Sequence, residues 1–445
     1  MTQRHRDAWV AFAVGLSVRL AVVLWACGRF APTEDGRYYN ALAHRLASGA
    51  GYTWLWPDGV VTYTAHYPVG YPAILAVAYA VFGGSDAVAM AVNSLLGAAS
   101  VYAAHRLVDR PETPRWRPLG AALAVALHPA LVPYTAAVMT EGMTASLLVI
   151  AVAIANRARV PGRRGLTLLA AGIVMGCATL VRPQSLLLAP AVGFLAASPS
   201  AGVSRRLARA AAVTAIAIAC VAPWTARNCA RMGRCAFVTV NGGWNLLIGT
   251  TTTSGGWEPV IVPASCATVW DEAKKDSCFL SAAFGSILSA PGPWLARAPA
   301  KVAMTLDYFG AGPWYLHASN EGALGARSKM GLQVIETVAS RLLLLAALVA
   351  CACLPGRRPR VRKVISLAGA AAALTVHGWL GYAAIPLGFV LLGWRAAMRA
   401  PIVVGSTAAA VAATVAVHAI FFGAGRYGLV VAPLVAVFAF VRSPT

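Results

Sequence analysis

Apolar runs separated by short basic blocks recur along this 445-residue chain. The first covers about 8–28 and follows the basic stretch Met1 to Arg6. Others lie near 86–109, 118–138, 142–157, 165–181, 184–199, 207–224, 334–354, 401–421 and 427–441, and residues 364–394 fit two short crossings or a hairpin. Many approach the roughly 20 residues that cross a bilayer as a helix. The pattern predicts an all-α polytopic membrane protein with about 10 to 13 crossings. Asp35 to Ser48 reads as an amphipathic helix lying on the membrane surface. Tyr71 to Phe82 is apolar but short, which suits an interfacial or re-entrant piece.

The polar segments divide the chain into three parts. Residues 1–224 form an N-terminal transmembrane module whose first external loop is 29–85, residues 225–330 form a large external loop with some local structure, and residues 331–445 hold the C-terminal transmembrane helices. The basic blocks set the sidedness, because Lys and Arg are retained in the cytoplasm. They are Arg110 to Arg117, Arg157 to Arg164, Arg205 to Arg209, Arg357 to Lys363, Arg395 to Arg399, and Arg442. With all of them inside, both termini are cytoplasmic. The first helix is then an uncleaved signal-anchor, since no small-x-small cleavage site follows it. Of the 15 acidic residues, only Asp7, Asp109 and Glu112 then fall in the cytoplasm, and the rest lie on or near the outer side.

Composition sharpens this picture. The chain is 59% hydrophobic and 12% charged, with mean hydropathy +0.67; a soluble domain carries about 25% charged residues. The net charge of +22 sits in the blocks between spans. No basic, aromatic-interleaved soluble surface exists for nucleic acid, which excludes that class of partner.

Carboxylates are scarce, so each external one is a candidate for chemistry. Glu34-Asp35 stands just beyond the first helix. Asp35 suits a general base that takes a proton from a hydroxyl, or a cap for the surface helix. Glu141, at a tight outer turn after Thr140, suits an acceptor-positioning or metal-holding acid, or a first-turn helix carboxylate. Arg182-Pro183 lies at an outer turn, against the positive-inside trend, and its guanidinium suits a phosphate. Arg426-Tyr427, at the last outer turn, suits a second phosphate cation or an interfacial anchor pair. His66 and Tyr67 precede two prolines and either line a site or shape a bend. His317, with Trp314 and Tyr315, suits a sugar contact or an aromatic belt. The remaining histidines show no metal spacing, and the pattern Gly423-x-Gly425-x-x-Gly428 follows no strand and is no dinucleotide site. A divalent metal is allowed but not required, since Asp35 and Glu141 suit either a shared ion or separate roles. Of the nine cysteines, Cys229, Cys235, Cys266 and Cys278 fall outside, where local pairing (229 with 235, 266 with 278) is one of three connectivities.

Taken in order, several motifs resemble the GT-C superfamily of polytopic glycosyltransferases. They are the acid pair, YYNALAHRLASGAGY from Tyr38, YPVGYPAILA from Tyr67, the Thr140-Glu141 turn, LVRPQSLLLAP from Leu180, PWTARN from Pro223, NGGWNLLIG from Asn241 and GAGRYGLVVAPL from Gly423. The pattern is similar to the bacterial branch near protein O-mannosyltransferases and lipid A aminoarabinose transferases. The lack of a large soluble C-terminal domain separates it from oligosaccharyltransferases.

The resemblance implies Asp35 as catalytic acid of the first external loop, with Glu34 as its alternative, and Glu141 as a second functional acid. It implies that Arg182 and Arg426 bind the phosphate of a polyprenyl-phosphate sugar donor. The implied reaction is an inverting transfer of a hexosyl or pentosyl unit, on the outer face of the inner membrane, to an envelope acceptor: lipid, glycan or protein hydroxyl. The competing readings are a transporter or lipid flippase, a scaffold of an envelope complex, and an external phosphotransferase. A transporter predicts charges near the midplane and an internal repeat; here the candidate acids and arginines cluster at one face, and no convincing internal repeat appears.

Overall fold

The computed structural model describes residues 2–160 and 164–441, so the middle of the Arg157–Arg164 block and Arg442 lie outside the described residues. The N-terminal part runs α1 (Gln3–Ala26), α2 (Asp35–Ala47), a hairpin of β1 (Thr53–Leu55) and β2 (Val61–Tyr63), α3 (Gly70–Phe82), α4 (Asp86–Val108), α5 (Trp116–Ala126), α6 (Thr140–Arg157), α7 (Arg164–Val181), α8 (Ala189–Leu195) and α9 (Val203–Arg231). The middle holds α10 (Gly242–Thr251), α11 (Glu272–Ser289), α12 (Pro291–Ala296), α13 (Ala298–Leu306) and α14 (Ala311–Ser319). The last part runs α15 (Ala326–Cys353), α16 (Pro359–Ala373), α17 (Trp379–Leu391), α18 (Trp394–Arg399), α19 (Ile402–Ile420) and α20 (Ala432–Phe438). Among the described residues α1, α4, α9, α15 and α19 are long and apolar enough to span a bilayer, and shorter apolar helices pack between them. The chain is an integral membrane protein with an all-α bundle.

Several expected spans are shorter or broken, and proline explains each case. α5 stops at Ala126 rather than near 138, because Pro129 disfavours helical geometry at His128 and Pro133 opens a separate 3-10 turn. The carbonyls of Val125 and Ala126, left free at that end, accept hydrogen bonds from the buried Arg19 guanidinium of α1 at 3.2 and 3.1 Å. The expected span 184–199 is a 3-10 turn, Pro183–Leu188, followed by α8, and the span 427–441 is a 3-10 turn, Gly425–Val430, followed by α20. Conversely α9 continues through Pro223 to Arg231, beyond the expected end at 224.

Residues 225–330 are largely helical. α11 meets the α12–α13 segment at a bend of 100°. α13 lies against α19, and Lys301 Nζ donates to the terminal carbonyls of Ala419 and Ile420 at 3.4 and 3.2 Å. Disulfides join Cys229 to Cys235 and Cys266 to Cys278, the local pairing. The hairpin, unexpected from the sequence, pairs Trp54 with Thr62 and is held by Arg227, which donates to the carbonyls of Tyr52 and Thr64 at 2.7 and 2.8 Å.

Two glycines bring the surface segments against the bundle. A side chain on Gly36 of α2 would sit 3.0 Å from the Val138 carbonyl oxygen, just before α6. A side chain on Gly70 would sit 2.5 Å from backbone atoms of Leu180 and Val181, just before Arg182. Only glycine allows these approaches without backbone movement. Gly70→Ala is therefore expected to destabilise the purified protein by about 1–3 kcal/mol. Gly285→Ala, at an open position inside α11, should leave stability unchanged or raise it by up to about 1 kcal/mol. Denaturant unfolding in detergent separates the two, and equal behaviour would mean that α3 does not press on the end of α7.

Candidate active site

Chain direction brings four predicted residues to one end of the bundle. Glu141 is in the first turn of α6, Arg182 follows the last residue of α7, Asp35 opens α2 after α1 has run out, and Arg426 stands in the 3-10 turn before α20. The basic links between α6 and α7 and between α17 and α19 lie at the other end of these helices.

Asp35 does not cap its own helix. Its Oδ2 accepts from Arg426 Nη1 at 2.7 Å and its Oδ1 from the Tyr67 hydroxyl at 3.1 Å. Glu141, almost fully buried, accepts from Arg182 Nη1 at 2.6 Å through Oε1 and from the Tyr134 hydroxyl at 2.6 Å through Oε2. Arg426 connects the two acids: its Nε lies 3.6 Å from Glu141 Oε1, and its Nη1 also donates to the Tyr315 hydroxyl at 2.8 Å. The Tyr427 ring lies under both guanidiniums, 4.8 Å from Arg182 and 5.0 Å from Arg426; it also stacks on His418 at 4.5 Å and meets Phe422 at 5.9 Å, and its hydroxyl accepts from Arg426 Nη2 at 3.2 Å. Arg182 is further held by the Thr140 hydroxyl at 3.1 Å and, with its amide oxygen turned inward, by Gln184 at 2.9 and 3.0 Å. Two carboxylates and two guanidiniums balance in charge.

The loop of residues 64–67 forms the outer wall. Glu272 of α11 accepts from the Thr64 hydroxyl and the Ala65 amide, both at 2.7 Å. That clamp presents Tyr67, which stacks on Tyr38 at 5.2 Å, and His66, whose ring meets Trp244 at 5.9 Å. Burial pushes the Asp35 pKa up, but the Arg426 guanidinium outweighs it, with help from Tyr67 and His66, and the net value lies below the ordinary carboxylate range. Burial pushes His66 below its ordinary value, against the pull of Glu272, Asp35 and Asp276. His66 is therefore a neutral ring near neutral pH.

Glu34 is placed differently. Its carboxylate is exposed, outside this network, and it is the one non-glycine residue with positive φ (51°) among the described residues. Such backbone geometry costs energy and concentrates at functional positions; here it turns the chain so that Asp35, not Glu34, faces inward. His317 is turned away, with Nδ1 on the Leu324 carbonyl at 2.8 Å, whereas Tyr315 joins the network. The position between Asp35 and Glu141 that suits a shared ion is held by the Arg426 guanidinium, and no three His, Cys, Asp or Glu side chains converge among the described residues. Tyr134, Gln184 and Glu272 were not anticipated; of these only Gln184, two residues after Arg182, had a local sequence cue.

The fold and site define a helical membrane protein with a buried acid–arginine network at one end. Residues 66–226 match the family model of dolichyl-phosphate-mannose-protein mannosyltransferase. The chain is thus similar to GT-C membrane glycosyltransferases, as its motif order implied. The matched segment contains His66, Tyr67, Glu141 and Arg182. No curated protein matches the chain. Among solved structures, ArnT from Cupriavidus metallidurans bound to undecaprenyl phosphate is similar at 15% identity, covering 97% of this chain and 77% of that one with TM-score 0.42. The oligosaccharyltransferase of Archaeoglobus fulgidus in complex with Zn and sulfate is similar at 14% identity, covering 99% of this chain and 54% of that one with TM-score 0.44. The chain spans about half the length of that second protein.

Breaking one side of a buried ion pair costs about 3–5 kcal/mol, more than removing both charges together. Arg182→Gln should therefore destabilise the protein by that amount, while Glu141→Gln with Arg182→Gln should cost less than the sum of the single changes. A double-mutant cycle on unfolding free energies measures this, and strict additivity would show that the two side chains do not couple.

Proposed function

We propose that this protein is a membrane glycosyltransferase that moves a sugar from a polyprenyl-phosphate donor to an acceptor hydroxyl on the extracytoplasmic face of the inner membrane. The observation that carries this reading is the convergence of residues 35, 141, 182 and 426 beside an apolar cleft. Arg182, Gln184 and Tyr427 line one end of that cleft, and Leu148, Ala413 and Val417 line its walls. A lipid phosphate with a hydrocarbon tail needs this combination of a cationic end and an oily slot. The cleft is narrow, about 30 Å³, so donor entry requires side chains or helices along it to part. The match over residues 66–226 and the motif order support the same reading.

In this mechanism the acceptor oxygen attacks the anomeric carbon from the side opposite the phosphate, and its proton passes to Asp35. The bond from the anomeric carbon to the phosphate oxygen breaks, its electrons stay on the leaving phosphate, and the product is inverted. Arg182 and Arg426 stabilise that charge. Glu141 holds both guanidiniums at one point, and Tyr67 orients Asp35. Arg426 occupies the Asp35 carboxylate before donor binds; its exchange onto the donor phosphate releases the base at the moment that it is needed. Asp35 takes this role rather than Glu34 because its carboxylate is in the network. Residues 29–85 and 225–330 form the outer wall of the site, with His66 and Tyr67 on the acceptor side. The acceptor is a hydroxyl of an envelope lipid, glycan or protein.

The test uses full-length protein in nanodiscs with a panel of polyprenyl-phosphate sugars and a membrane extract as acceptor source. Mass spectrometry follows release of free polyprenyl phosphate. Wild type should release it and Asp35→Asn should be slower by about 10²–10⁴-fold. Equal release by both would move the base to Glu34 or Glu141, and no release from any donor by folded protein would favour a transporter.

The pH profile gives a second check. Because Asp35 is held below the ordinary value of 3.8 before donor binds, it stays ionised down to that range in the free enzyme, and the acid limb of kcat/KM should lie below about pH 4. Arg426→Gln removes the main opposing charge and leaves burial dominant, so the midpoint of the limb should move upward. An unchanged midpoint in the variant would show that Arg426 does not set the ionisation of the base.

A further inference from the structure

The end of the bundle away from the acid–arginine network carries a different charge arrangement. α18 is a short helix in the sequence Trp394-Arg-Ala-Ala-Met-Arg399, with Ala397 and Met398 buried and Trp394, Arg395 and Arg399 exposed. It forms one wall of a groove of about 320 Å³, and Pro199 and Ser200, in the link from α8 to α9, form the other.

Both walls are fixed by other arginines. Arg159 donates to the carbonyls of Met398 and Ala400 at 2.7 and 2.9 Å, which satisfies the end of α18. The buried Arg206 donates to the carbonyls of Ser198 and Pro199 at 2.8 and 3.1 Å. Arg395 and Arg399 have no hydrogen bond or ion pair among the described residues. Asp7 and Asp109, acids expected on the same side, are taken by Arg115 and by Arg4 and Arg106. The groove therefore presents two uncompensated guanidiniums on a rigid frame. Trp394 stands at its edge, packed on Phe194 at 5.8 Å.

The depth of the groove identifies what reaches it. α19 starts directly after α18 and rises about 28 Å over its length, close to the roughly 30 Å of a bilayer core. Its far end carries His418, stacked on Tyr427 of the active-site network. The groove thus lies about one membrane thickness from the network, at headgroup level, where an exposed Trp is at home. Arginines at that level meet phosphodiesters, which they bind through forked hydrogen bonds.

We propose that this groove is a binding site for the headgroup of an anionic phospholipid, with Arg395 and Arg399 on the phosphodiester and Trp394 beside the upper acyl chain. The site is separate from the donor site, and the inference does not depend on the reaction assigned to it.

The test is native mass spectrometry of the full-length protein, released from nanodiscs that contain equal phosphatidylglycerol and phosphatidylcholine with the same acyl chains. Wild type should retain phosphatidylglycerol over phosphatidylcholine by about tenfold. Arg395→Gln with Arg399→Gln should abolish that preference. Ser200→Trp, which fills the groove and leaves both arginines in place, should abolish it too, and it decides the matter where the double variant does not fold. Equal retention of the two lipids by wild type would overturn the proposal, as would an unchanged preference in either folded variant. Displacement of phosphatidylglycerol by millimolar inorganic phosphate would also overturn it, by marking a general anion site.

Discussion

The pairing of Arg426 with Asp35 on one side and Glu141 on the other is the contact on which the site depends. A buried carboxylate or guanidinium is expensive unless its charge and its hydrogen bonds are both met. Here each acid meets an arginine and a tyrosine hydroxyl, and each arginine lies over the same tyrosine ring. The network closes only when the start of α2, the start of α6, the end of α7 and the turn before α20 are all in place. It therefore locks parts of the chain separated by up to 391 positions, and a site that is electrostatically complete also fixes the helix ends that carry it.

The close approaches at Gly36 and Gly70 serve the same end. They let α2 approach the Val138 carbonyl just before α6, and α3 the end of α7, so that Asp35 and Tyr67 are carried to the site formed by Glu141, Arg182 and Arg426. The Glu272 clamp on Thr64 and Ala65 extends this outward, linking the loop that presents Tyr67 to a segment tied by the Cys266–Cys278 disulfide. The wall of the site is thus built from residues that are remote in sequence and hold one another by hydrogen bonds and by packing, as where Ala65 packs with Ala273 of α11.

Much of this was legible in the sequence, for a physical reason. Acids are rare in a chain of this composition, and an arginine on the outer side runs against the positive-inside trend, so Asp35, Glu141, Arg182 and Arg426 each stood out alone. That they meet was implied by sidedness, since all four fall at the same end of consecutive spans. Of the aromatic partners, Tyr67, Tyr315 and Tyr427 stood beside other candidates in the sequence, but Tyr134 was not legible: it is one of 13 tyrosines, and nothing local distinguishes a tyrosine that donates to a buried acid from one at an interface. Helix ends at Pro129, Pro183 and Pro433 were misplaced because hydrophobicity continues through them while backbone geometry does not. The helices between 225 and 330 were missed because their sequences are short and mixed, and tertiary contacts, such as Lys301 on the end of α19, supply what local periodicity lacks.

The two ends of the bundle solve one problem in opposite ways. At the site end, the chain supplies its own counter-charges, so the arginines are neutralised, ordered and shielded, and a phosphate entering there must compete with a carboxylate for Arg426. Competition of that kind favours a ligand that brings additional binding energy, which under the proposed function is the contact of a lipid tail with the apolar cleft. At the other end carboxylates are few, and Asp7 and Asp109 are already committed to Arg115 and to Arg4 and Arg106. Arg159 and Arg206 there donate to backbone carbonyls, which meet their hydrogen bonds but not their charge. The excess charge falls to anions from outside the chain, and at headgroup level the abundant anion is a lipid phosphodiester. The net charge of +22 is thus not spread evenly: balance is built in where chemistry needs a defined field, and left to the membrane where it does not.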